Sequence, residues 1–470
     1  MALKKFQSLE EVRAALTAGL TCTQLVQYYL QRIDEKKHLN AFLEVWPEDA
    51  LAQAAAIDEK LKNGTAGKLA GMVLALKDNI CYKGHKVSGS SKILEGFTSL
   101  YSSTVTERLL AEDCILIGRT NCDEFAMGAS NENSAYGPVR NDLDNTRVSG
   151  GSSGGSAVAV QADLCLAALG SDTGGSVRQP AAFTGLYGYK PTYGMVSRWG
   201  LLAYASSLDQ ISPITSSISD MQAIMDVIAG ADEYDATLSQ KEAPVFAGIK
   251  TFGPKRIAYI SDTLENDGIH PDVKKGTLDM IEKLKQQGHT VEGVSFPFLE
   301  YMVPCYYVLT TAEASSNLSR YQGLQYGYRS PNATDLESTF KKSRSEGFGK
   351  EVQRRIMLGT FVLSSDYYDA YYTKAQKVRR VVQQRTGEIF SSYDYILSPT
   401  TPTPAFKIGD KAADPVAMYL ADIFTVQAPL AGMPAISVPA ETLADGMPWG
   451  IQLMAPKFKD AELLAFSETL

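Results

Sequence analysis

Short apolar runs alternate along this chain with stretches of helical periodicity. MVLAL at 72–76, CILIG at 114–118 and LCLAAL at 164–169 are such runs, and TVTERLLAED at 104–113 has the spacing of a helix. A strand that is apolar at every position has to be covered on both faces, as in an α/β sheet with helices on each side. The pattern therefore predicts an α/β fold whose sheet is covered by helices on both faces.

The same alternation continues through the second half of the chain. Strands are predicted at 255–261, 290–296, 393–399, 435–440 and 449–455, and a helix is predicted at 272–288. No internal repeat interrupts this pattern, and the looser stretch at 239–254 is the candidate for a subdomain hinge. We therefore expect residues 1–470 to form a single domain.

The first part of the chain, residues 1–65, is predicted to be an N-terminal helical segment. Two residue pairs have the S/T-x-x-E/Q spacing of a capping box, which marks the start of a helix: Ser8 with Glu11, and Thr21 with Gln24. A third helix is expected to begin at Pro47 and to stop at Asn63, just before a glycine.

Charge and cysteine content exclude several classes of protein. The net charge of −8 at pH 7 argues against a free-standing nucleic-acid-binding protein, which usually carries a basic surface. The six cysteines form no CxxC pair, so neither a metal site nor a disulfide framework is expected. The chain begins without the apolar core of a secretory signal, and it has no apolar run of about 18 residues. We therefore expect a cytoplasmic protein without membrane contact.

Two glycine–serine clusters lie inside the alternating pattern, GGSSGGS at 150–156 and GSDTGGS at 170–176. Linkers join domains, whereas these clusters interrupt one. Neither cluster has the lysine that the phosphate-binding pattern GxxxxGK[ST] requires. A histidine-dependent serine hydrolase is not indicated either, because His85 is the sole plausible histidine and no GxSxG elbow occurs. A serine nucleophile here would need another base.

Lysine is the remaining candidate for that base. Lys77 closes the apolar run VLALK and is followed by DNI. A lysine at a strand end is usually solvated or paired with a carboxylate, so the position alone does not assign a catalytic role. Burial, however, lowers the pKa of a lysine from about 10.4 and leaves a neutral amine that can accept a proton. Serine–lysine pairs are a known form of the nucleophile–base arrangement.

Taken together, these segments resemble the amidase signature family. The matching stretches are KDNI at 77–80, GGSSGGS at 150–156 and GSDTGGSVRQPAAFTGLYGYKPTYG at 170–194. The resemblance runs over most of the chain and implies an amidase signature fold with a large mixed central β-sheet. It also implies amide hydrolysis by a Ser–cis-Ser–Lys triad, with Ser176 as nucleophile, Ser152 as the bridging cis-serine and Lys77 as base. The peptide bond that precedes Ser152 is then expected to be cis.

The resemblance also assigns an oxyanion hole to the loop that carries the nucleophile. Its backbone N–H donors would be those of Thr173, Gly174, Gly175 and Ser176. Amide hydrolysis needs such donors because negative charge develops on the carbonyl oxygen in the transition state. Asp172 is expected to fix this loop through Asx-type hydrogen bonds, and Arg178 and Gln179 are expected to brace it.

Other segments resemble one branch of the family, the glutamine-hydrolysing subunits of tRNA-dependent amidotransferases. These segments include 123–141, 312–329, 351–372 and 421–439. This implies a glutaminase within an ATP-dependent carbon–nitrogen ligase that converts Glu-tRNA(Gln) to Gln-tRNA(Gln). Two partners, the B and C subunits, would complete a heterotrimer. The B subunit would bind most of the tRNA and use ATP and Mg²⁺, so no cofactor is expected in this chain. The alternative is a free-standing amidase that hydrolyses small aliphatic or aryl amides with the same triad.

Free glutamine carries a carboxylate and an ammonium, so its pocket should supply one cation and one anion. By the resemblance, the pocket residues are Met127, Tyr306, Arg355 and Asp422. Arg355 would bind the α-carboxylate and Asp422 the α-ammonium, while the backbone of Met127 and the ring of Tyr306 would line the pocket. The sequence leaves Arg354 and Tyr307 open as adjacent alternatives.

Overall fold

The structure is a computed structural model that describes residues 5–265, 267–410 and 418–470. Among these residues, eleven strands form one mixed sheet in the order β1-β3-β2-β4-β6-β5-β10-β11-β9-β7-β8. The strands are β1 (Phe42–Val45), β2 (Val73–Lys77), β3 (Ile115–Thr120), β4 (Ala167–Asp172), β5 (Tyr187–Lys190), β6 (Gln210–Thr215), β7 (Arg256–Ile260), β8 (Thr290–Val294), β9 (Tyr395–Pro399), β10 (Ala435–Pro439) and β11 (Gly450–Met454).

Helices lie between most of these strands. They are α1 (Leu9–Thr17), α2 (Cys22–Glu35), α3 (Pro47–Asn63), α4 (Thr104–Ala111), α5 (Gly154–Gln161), α6 (Arg178–Thr184), α7 (Ile218–Ile228), α8 (Ser261–Leu264), α9 (Pro271–Gln286), α10 (Leu299–Asn317), α11 (Leu336–Gly347), α12 (Lys350–Val362), α13 (Lys374–Ile389), α14 (Gln427–Ala431) and α15 (Asp460–Ser467). Short 3₁₀ turns lie at Lys37–Leu39, Lys92–Leu94, Glu124–Ala126, Leu318–Arg320 and Leu420–Asp422, and a π-helical turn lies at Asp369–Thr373. No helix in the described part of the chain is long and apolar enough to span a bilayer.

The sheet contains both parallel and antiparallel pairs. Strand β2 runs parallel to β3 and β4, and β7 runs parallel to β8 and β9. The strands β5, β6, β10 and β11 pair antiparallel with their neighbours. Every residue of β2, β3, β4 and β6 is buried, as expected for strands with both faces covered. The predicted α/β class and the large mixed sheet are confirmed.

The apolar runs all correspond to strands, but the run at 164–169 places the start of its strand three residues before the observed start. Strand β4 begins at Ala167, and residues 164–166 belong to the connection after α5. Three strands were not predicted: β1, β5 and β6. Strand β1 is only half-buried and carries a glutamate, β5 has four residues with a glycine among them, and β6 contains Pro213, which argues against a central strand.

Two N-terminal predictions are confirmed and one is half right. The capping box that begins at Thr21 is complete, and α3 has the predicted bounds Pro47–Asn63. The hydroxyl of Ser8 accepts a hydrogen bond from the Glu11 N–H, as predicted. The Glu11 carboxylate, however, accepts from the N–H of Gln7 rather than that of Ser8, so this box forms on one side only.

The N-terminal segment joins the sheet directly. Strand β1 lies within residues 1–65 and pairs antiparallel with β3, so the segment is not helical throughout; its residues 1–4 lie outside the described part of the chain. Residues 239–254, the candidate hinge, contain no helix or strand. Because one sheet takes strands from residue 42 to residue 454, we infer a single domain rather than two.

The topology brings three chain segments to one edge of the sheet. Strands β2 and β4 are parallel neighbours, with Leu76 opposite Leu169, so their carboxyl ends lie side by side. Strand β2 ends at Lys77, and β4 leads into the loop that precedes α6. The first glycine–serine cluster leads into α5, which packs on β4. The carboxyl ends of parallel strands are where α/β folds place their functional groups.

A helix cap from α3 stabilises the N-terminal segment. The Asp58 carboxylate accepts hydrogen bonds from the N–H groups of Cys22 (2.7 Å) and Thr23 (3.1 Å) at the start of α2. It also accepts from the Thr23 hydroxyl at 2.8 Å. These bonds satisfy N–H groups that have no partner within their own helix.

We expect Asp58→Ala to lower the free energy of unfolding by about 1 kcal/mol, because two helix N–H groups lose their acceptor. Thermal melting followed by circular dichroism measures the change. Glu59→Ala is the matched control, since Glu59 is an exposed carboxylate whose one ion pair among the described residues is with Lys62 on the same helix. Equal melting temperatures for the two variants would contradict the proposed cap.

Candidate active site

The side chain of Lys77 is fully buried among serine hydroxyls. Its Nζ lies 2.7 Å from the Oγ of Ser152 and 2.9 Å from the Oγ atoms of both Ser153 and Ser171. Burial lowers the pKa of Lys77 to about 8, and the opposing effects of nearby acidic groups are smaller. The neutral form of this amine is therefore far more accessible near physiological pH than that of a lysine in water.

The three hydroxyls constrain where the amine can accept a proton. They can take all three protons of the ammonium form, but in the neutral form one hydroxyl has to donate to the nitrogen lone pair. The Ser171 hydroxyl is also held by the Asn79 amide at 2.9 Å, and the Ser153 hydroxyl donates to the Ser171 carbonyl at 3.3 Å. Ser152 is the nearest of the three hydroxyls and the one best placed to donate.

The peptide bond between Gly151 and Ser152 is cis, as the family resemblance implies. Its turn packs against the loop that follows β3. A Cβ atom at position 151 would lie 2.1 Å from Oδ2 of Asp123 and 2.7 Å from the N of Asn131, so only glycine fits. The Asp123 N–H donates to the Ser152 carbonyl at 3.1 Å, and the Asp123 carboxylate accepts from the Asn131 N–H at 2.9 Å.

Asp172 organises the loop that carries Ser176. Its carboxylate accepts from the N–H of Gly175 at 2.9 Å and from the N–H of Val177 at 3.2 Å. It also forms a fully buried ion pair with Arg178 at 2.9 Å. Burial alone would raise the pKa of Asp172, but the guanidinium and the hydrogen bonds hold it below its usual value. The predicted roles of Asp172 and Arg178 in fixing this loop are confirmed.

Ser176 lies next to the cis serine. Its carbonyl accepts from the N–H of Ser153 at 3.0 Å, and 7% of its surface is exposed. Its hydroxyl makes no hydrogen bond to any residue that the structure describes. The contact between the hydroxyls of Ser152 and Ser176 that a triad needs is therefore not formed in this state, and it stays a prediction.

The four N–H groups predicted for an oxyanion are not equivalent. The N–H of Gly175 donates to the Asp172 carboxylate at 2.9 Å, so this donor is already engaged, and its assignment to the oxyanion hole stays a prediction. The N–H groups of Thr173, Gly174 and Ser176 have no acceptor among the described residues. These three N–H groups are therefore the unengaged donors of the predicted oxyanion hole.

Arg355 is buried inside the molecule, whereas the neighbouring Arg354 side chain is 49% exposed. The Nε of Arg355 donates to Glu351 at 2.8 Å, and its Nη1 donates to the Tyr204 hydroxyl at 2.8 Å. Its Nη2 has no acceptor in the described part of the chain, which leaves one edge of the guanidinium for an anionic ligand. Of the two alternatives, Arg355 is the buried one, and its role in binding the α-carboxylate stays a prediction.

The two adjacent tyrosines of α10 have different positions. Tyr306 lies over the nucleophile loop, since a Cβ at Gly174 would come within 2.5 Å of its hydroxyl. The Tyr307 hydroxyl donates to Oδ2 of Asp422 at 2.9 Å, and its ring centroid lies 5.1 Å from the guanidinium carbon of Arg355. Burial raises the pKa of Asp422 to about 7, against the lowering effects of the Tyr307 bond and of Arg355.

Met127 is buried after the short turn at 124–126, with its side chain in the same hydrophobic cluster as Tyr306. Its carbonyl accepts from the Asn133 amide at 3.4 Å. This neighbourhood agrees with a lining role, but a backbone contact with a ligand stays a prediction. Over residues 5–265, 267–410 and 418–470, no group of three or more His, Cys, Asp or Glu side chains could hold a metal ion.

Several side chains of the site were not predicted: Asn79, Ser153, Ser171, Tyr204 and Glu351. Both serines lie within the glycine–serine clusters, but which serine faces the lysine depends on the path of the chain. Glu351 had a usable signal, because it precedes Arg355 by four residues and so shares its helix face. Tyr204 had none, since its contact with Arg355 joins positions far apart in the sequence.

Comparison with known proteins agrees with this geometry. The family model described as Amidase matches residues 24–464. The chain is 50% identical over 477 residues to the A subunit of the glutamyl-tRNA(Gln) amidotransferase of Chlorobaculum parvum, covering 99% of this chain and 98% of that protein. The protein of the same name from Chlorobium phaeobacteroides is 49% identical over 473 residues, with 98% of each chain covered.

Solved structures show the same similarity. The crystal structure of the A subunit of the glutamyl-tRNA(Gln) amidotransferase of Thermotoga maritima aligns with a TM-score of 0.77 and 41% identity, covering 94% of this chain and 89% of that one. The peptide amidase of Stenotrophomonas maltophilia aligns with a TM-score of 0.80 and 28% identity, covering 97% of this chain and 94% of that one. The fold is thus shared with an amidotransferase subunit and with a peptide amidase.

We expect the reactivity of Ser176 to follow the ionisation of Lys77. Below about pH 8 the lysine is an ammonium and cannot take a proton, so the rate of labelling by a fluorophosphonate should fall about tenfold per pH unit and level off above pH 8. Mass spectrometry of the labelled serine between about pH 6 and about pH 10 gives the rate constants. Lys77→Met is the control: slow labelling without this inflection is expected, and an unchanged inflection would assign it to another group.

Proposed function

This chain belongs to the amidase signature family, and on that premise we propose that it is the glutamine-hydrolysing subunit of a glutamyl-tRNA(Gln) amidotransferase. The observation that carries the proposal is the buried arrangement of Arg355, Tyr307 and Asp422. It offers one cation and one anion within the same site, as a zwitterionic amino-acid amide requires. An enzyme for uncharged aliphatic or aryl amides would have no use for this pair of charges.

The first chemical step is acylation of Ser176. The neutral amine of Lys77 takes a proton from the Ser152 hydroxyl, which in turn takes the proton of Ser176. The Ser176 Oγ then attacks the side-chain amide carbon of glutamine. Negative charge develops on the amide oxygen, where the free N–H groups of the nucleophile loop can stabilise it.

The second step releases ammonia and restores the enzyme. When the carbon–nitrogen bond breaks, the proton held by Lys77 returns through Ser152 to the leaving nitrogen, which departs as neutral ammonia. Water then attacks the resulting glutamyl ester, and the same two groups accept its proton and pass one back to Ser176. The products are glutamate and ammonia, and the atoms balance with water as the one co-reactant.

Substrate recognition is assigned to the second part of the site. The free edge of the Arg355 guanidinium would bind the α-carboxylate, and Asp422 would bind the α-ammonium. Met127 and Tyr306 would line the pocket between these groups and Ser176. Because Tyr306 lies over Gly174 while Tyr307 contacts Asp422, neighbouring residues of one helix would connect recognition to chemistry.

The partners follow from the proposed identity. The relatives are named as one subunit of an amidotransferase, so we infer a complex with B and C subunits. Ammonia formed here would pass to the B subunit for the amidation of Glu-tRNA(Gln), a step that would use ATP and Mg²⁺ bound by that subunit. The chain would work in the cytoplasm, where charged tRNA is used.

Ser176→Ala is expected to abolish the hydrolysis of glutamine while the assembled complex still amidates Glu-tRNA(Gln) from added ammonium. The reason is that the variant removes only the nucleophile that generates ammonia. Ammonia release and formation of Gln-tRNA(Gln) are measured side by side. If the folded variant loses both activities, the proposed division of labour is wrong. If the unaltered chain hydrolyses simple aliphatic amides better than glutamine, the free-standing amidase is the correct alternative.

Arg355→Ala is expected to raise the KM for glutamine about 10- to 100-fold, since a charged hydrogen bond contributes about 1.5–3 kcal/mol. The turnover number should change less, because the triad is untouched. Arg354→Ala is the matched control, with an exposed side chain of the same type at the adjacent position. Steady-state glutaminase kinetics separate the two, and a larger effect for Arg354 would reassign the carboxylate-binding residue.

A further inference from the structure

An apolar chamber of about 730 Å³, partly open to solvent, lies beside the proposed glutamine site. Most of its lining is aliphatic or aromatic, with Val303 from α10, Leu358 from α12 and Ile423 among its side chains. Its volume lies within the range of about 300–1,000 Å³ that is usual for small-molecule sites. The proposed glutaminase reaction does not use this space.

Tyr307 and Tyr419 form the wall of the chamber on the side of Arg355. Both residues line the chamber. Their rings are stacked, with centroids 4.0 Å apart and planes inclined by 23°. The guanidinium carbon of Arg355 lies 5.1 Å from one centroid and 5.4 Å from the other. The stacked pair therefore stands between the guanidinium and the chamber.

The pair is tied to both charged groups of the site. The Tyr307 hydroxyl donates to Asp422 at 2.9 Å. The Tyr419 hydroxyl donates to Glu351 at 2.9 Å, and Glu351 also accepts from Nε of Arg355 at 2.8 Å. Stacking and two hydrogen bonds thus hold both rings in place.

We propose that the Tyr307–Tyr419 pair is a specificity-determining partition, which restricts the site to free glutamine and shuts off an apolar chamber that can hold the acyl group of an Nα-acylated glutamine. The inference rests on the proposed function, because it takes Asp422 as the group that faces the α-nitrogen. Asp422 is bonded to Tyr307, and Leu420 and Ile423 on either side of it line the chamber. A substituent on the α-nitrogen would therefore meet the tyrosine rings first.

Removing the Tyr419 ring should open the way into the chamber. The α-nitrogen of an acylated glutamine is an amide, whose N–H can still donate to Asp422, and the α-carboxylate for Arg355 is unchanged. The reaction would be the same hydrolysis: water and the side-chain amide give Nα-acyl-glutamate and ammonia, and the bond between the acyl group and the α-nitrogen stays intact. An apolar acyl chain would gain by leaving water for an apolar lining.

The test compares three substrates in the assembled complex: L-glutamine, Nα-acetyl-L-glutamine and Nα-octanoyl-L-glutamine. Ammonia release gives kcat/KM for each, and the ratio of acylated to free glutamine is the quantity of interest. For Tyr419→Ala we expect this ratio to rise at least about tenfold for both acylated substrates, and further for octanoyl than for acetyl. Tyr419→Phe keeps the ring but loses the bond to Glu351, so it should raise the KM for glutamine while leaving the ratio low.

Two further variants keep the outcome decisive. Tyr234→Ala removes a tyrosine that is 58% exposed and stacks on Trp199, so it should leave all kinetic values unchanged. Adding Leu358→Trp to Tyr419→Ala fills part of the chamber and should reverse the gain for the octanoyl substrate but not for the acetyl one. The melting temperature of each complex reports on folding.

The proposal is overturned if folded, glutamine-active Tyr419→Ala keeps the unaltered ratio, or if Tyr419→Phe raises it as much as Ala does. Loss of all activity in a folded Tyr419→Ala complex would also overturn it, since it would make the ring part of glutamine binding itself. Failure of the proposed function is a separate result, seen as an absence of glutamine hydrolysis in the unaltered complex.

Discussion

The burial of one amine is the constraint on which the rest of the site depends. Lys77 ends a strand that is buried at every residue, so its nitrogen lies among protein groups instead of water. Removing an ammonium from water favours its neutral form unless an anion is bound to it. The nearby acids are engaged elsewhere: Asp123 binds backbone N–H groups, and Asp172 binds Arg178 and the nucleophile loop. The lysine is left with hydroxyl partners, which is the condition for a base that needs no imidazole.

Close approach of the backbone explains why these hydroxyls can surround one nitrogen. A Cβ at Gly155 would lie 2.3 Å from the Asn121 carbonyl, and one at Gly170 would lie 2.7 Å from the Ser153 hydroxyl. The glycine–serine clusters are thus neither flexible nor spacers. They are places where chain segments pack without side chains between them, and the serines project from these contacts toward the end of β2. This arrangement has a cost, because glycine loses more conformational entropy on folding than any other residue.

The sequence predicts those parts of the molecule that depend on local pattern. Apolar runs give the buried strands, and the capping box at Thr21 gives a helix start. The clusters with Lys77 give the serine–lysine chemistry. Local pattern does not give Ser171 as a lysine partner or Tyr204 as an Arg355 partner, because these contacts join remote segments. Nor does it show that the Gly175 N–H is taken by Asp172, since a run of four N–H groups looks uniform until the loop is folded.

Burial shifts Lys77 and Asp422, the two ionisable groups of the site, toward their neutral forms, but this helps the function of one and opposes that of the other. A base has to be neutral and an ammonium-binding group has to be charged, yet desolvation pushes both toward neutrality, with pKa values of about 8 for Lys77 and about 7 for Asp422. A bound α-ammonium would restore the charge of Asp422, because an adjacent cation favours the carboxylate form. Among the residues that the structure describes, no such partner reaches Lys77, whose hydrogen bonds all go to serine oxygens. The substrate itself therefore resolves the conflict: its ammonium ionises the group that recognises it, while the pKa of the base stays lowered.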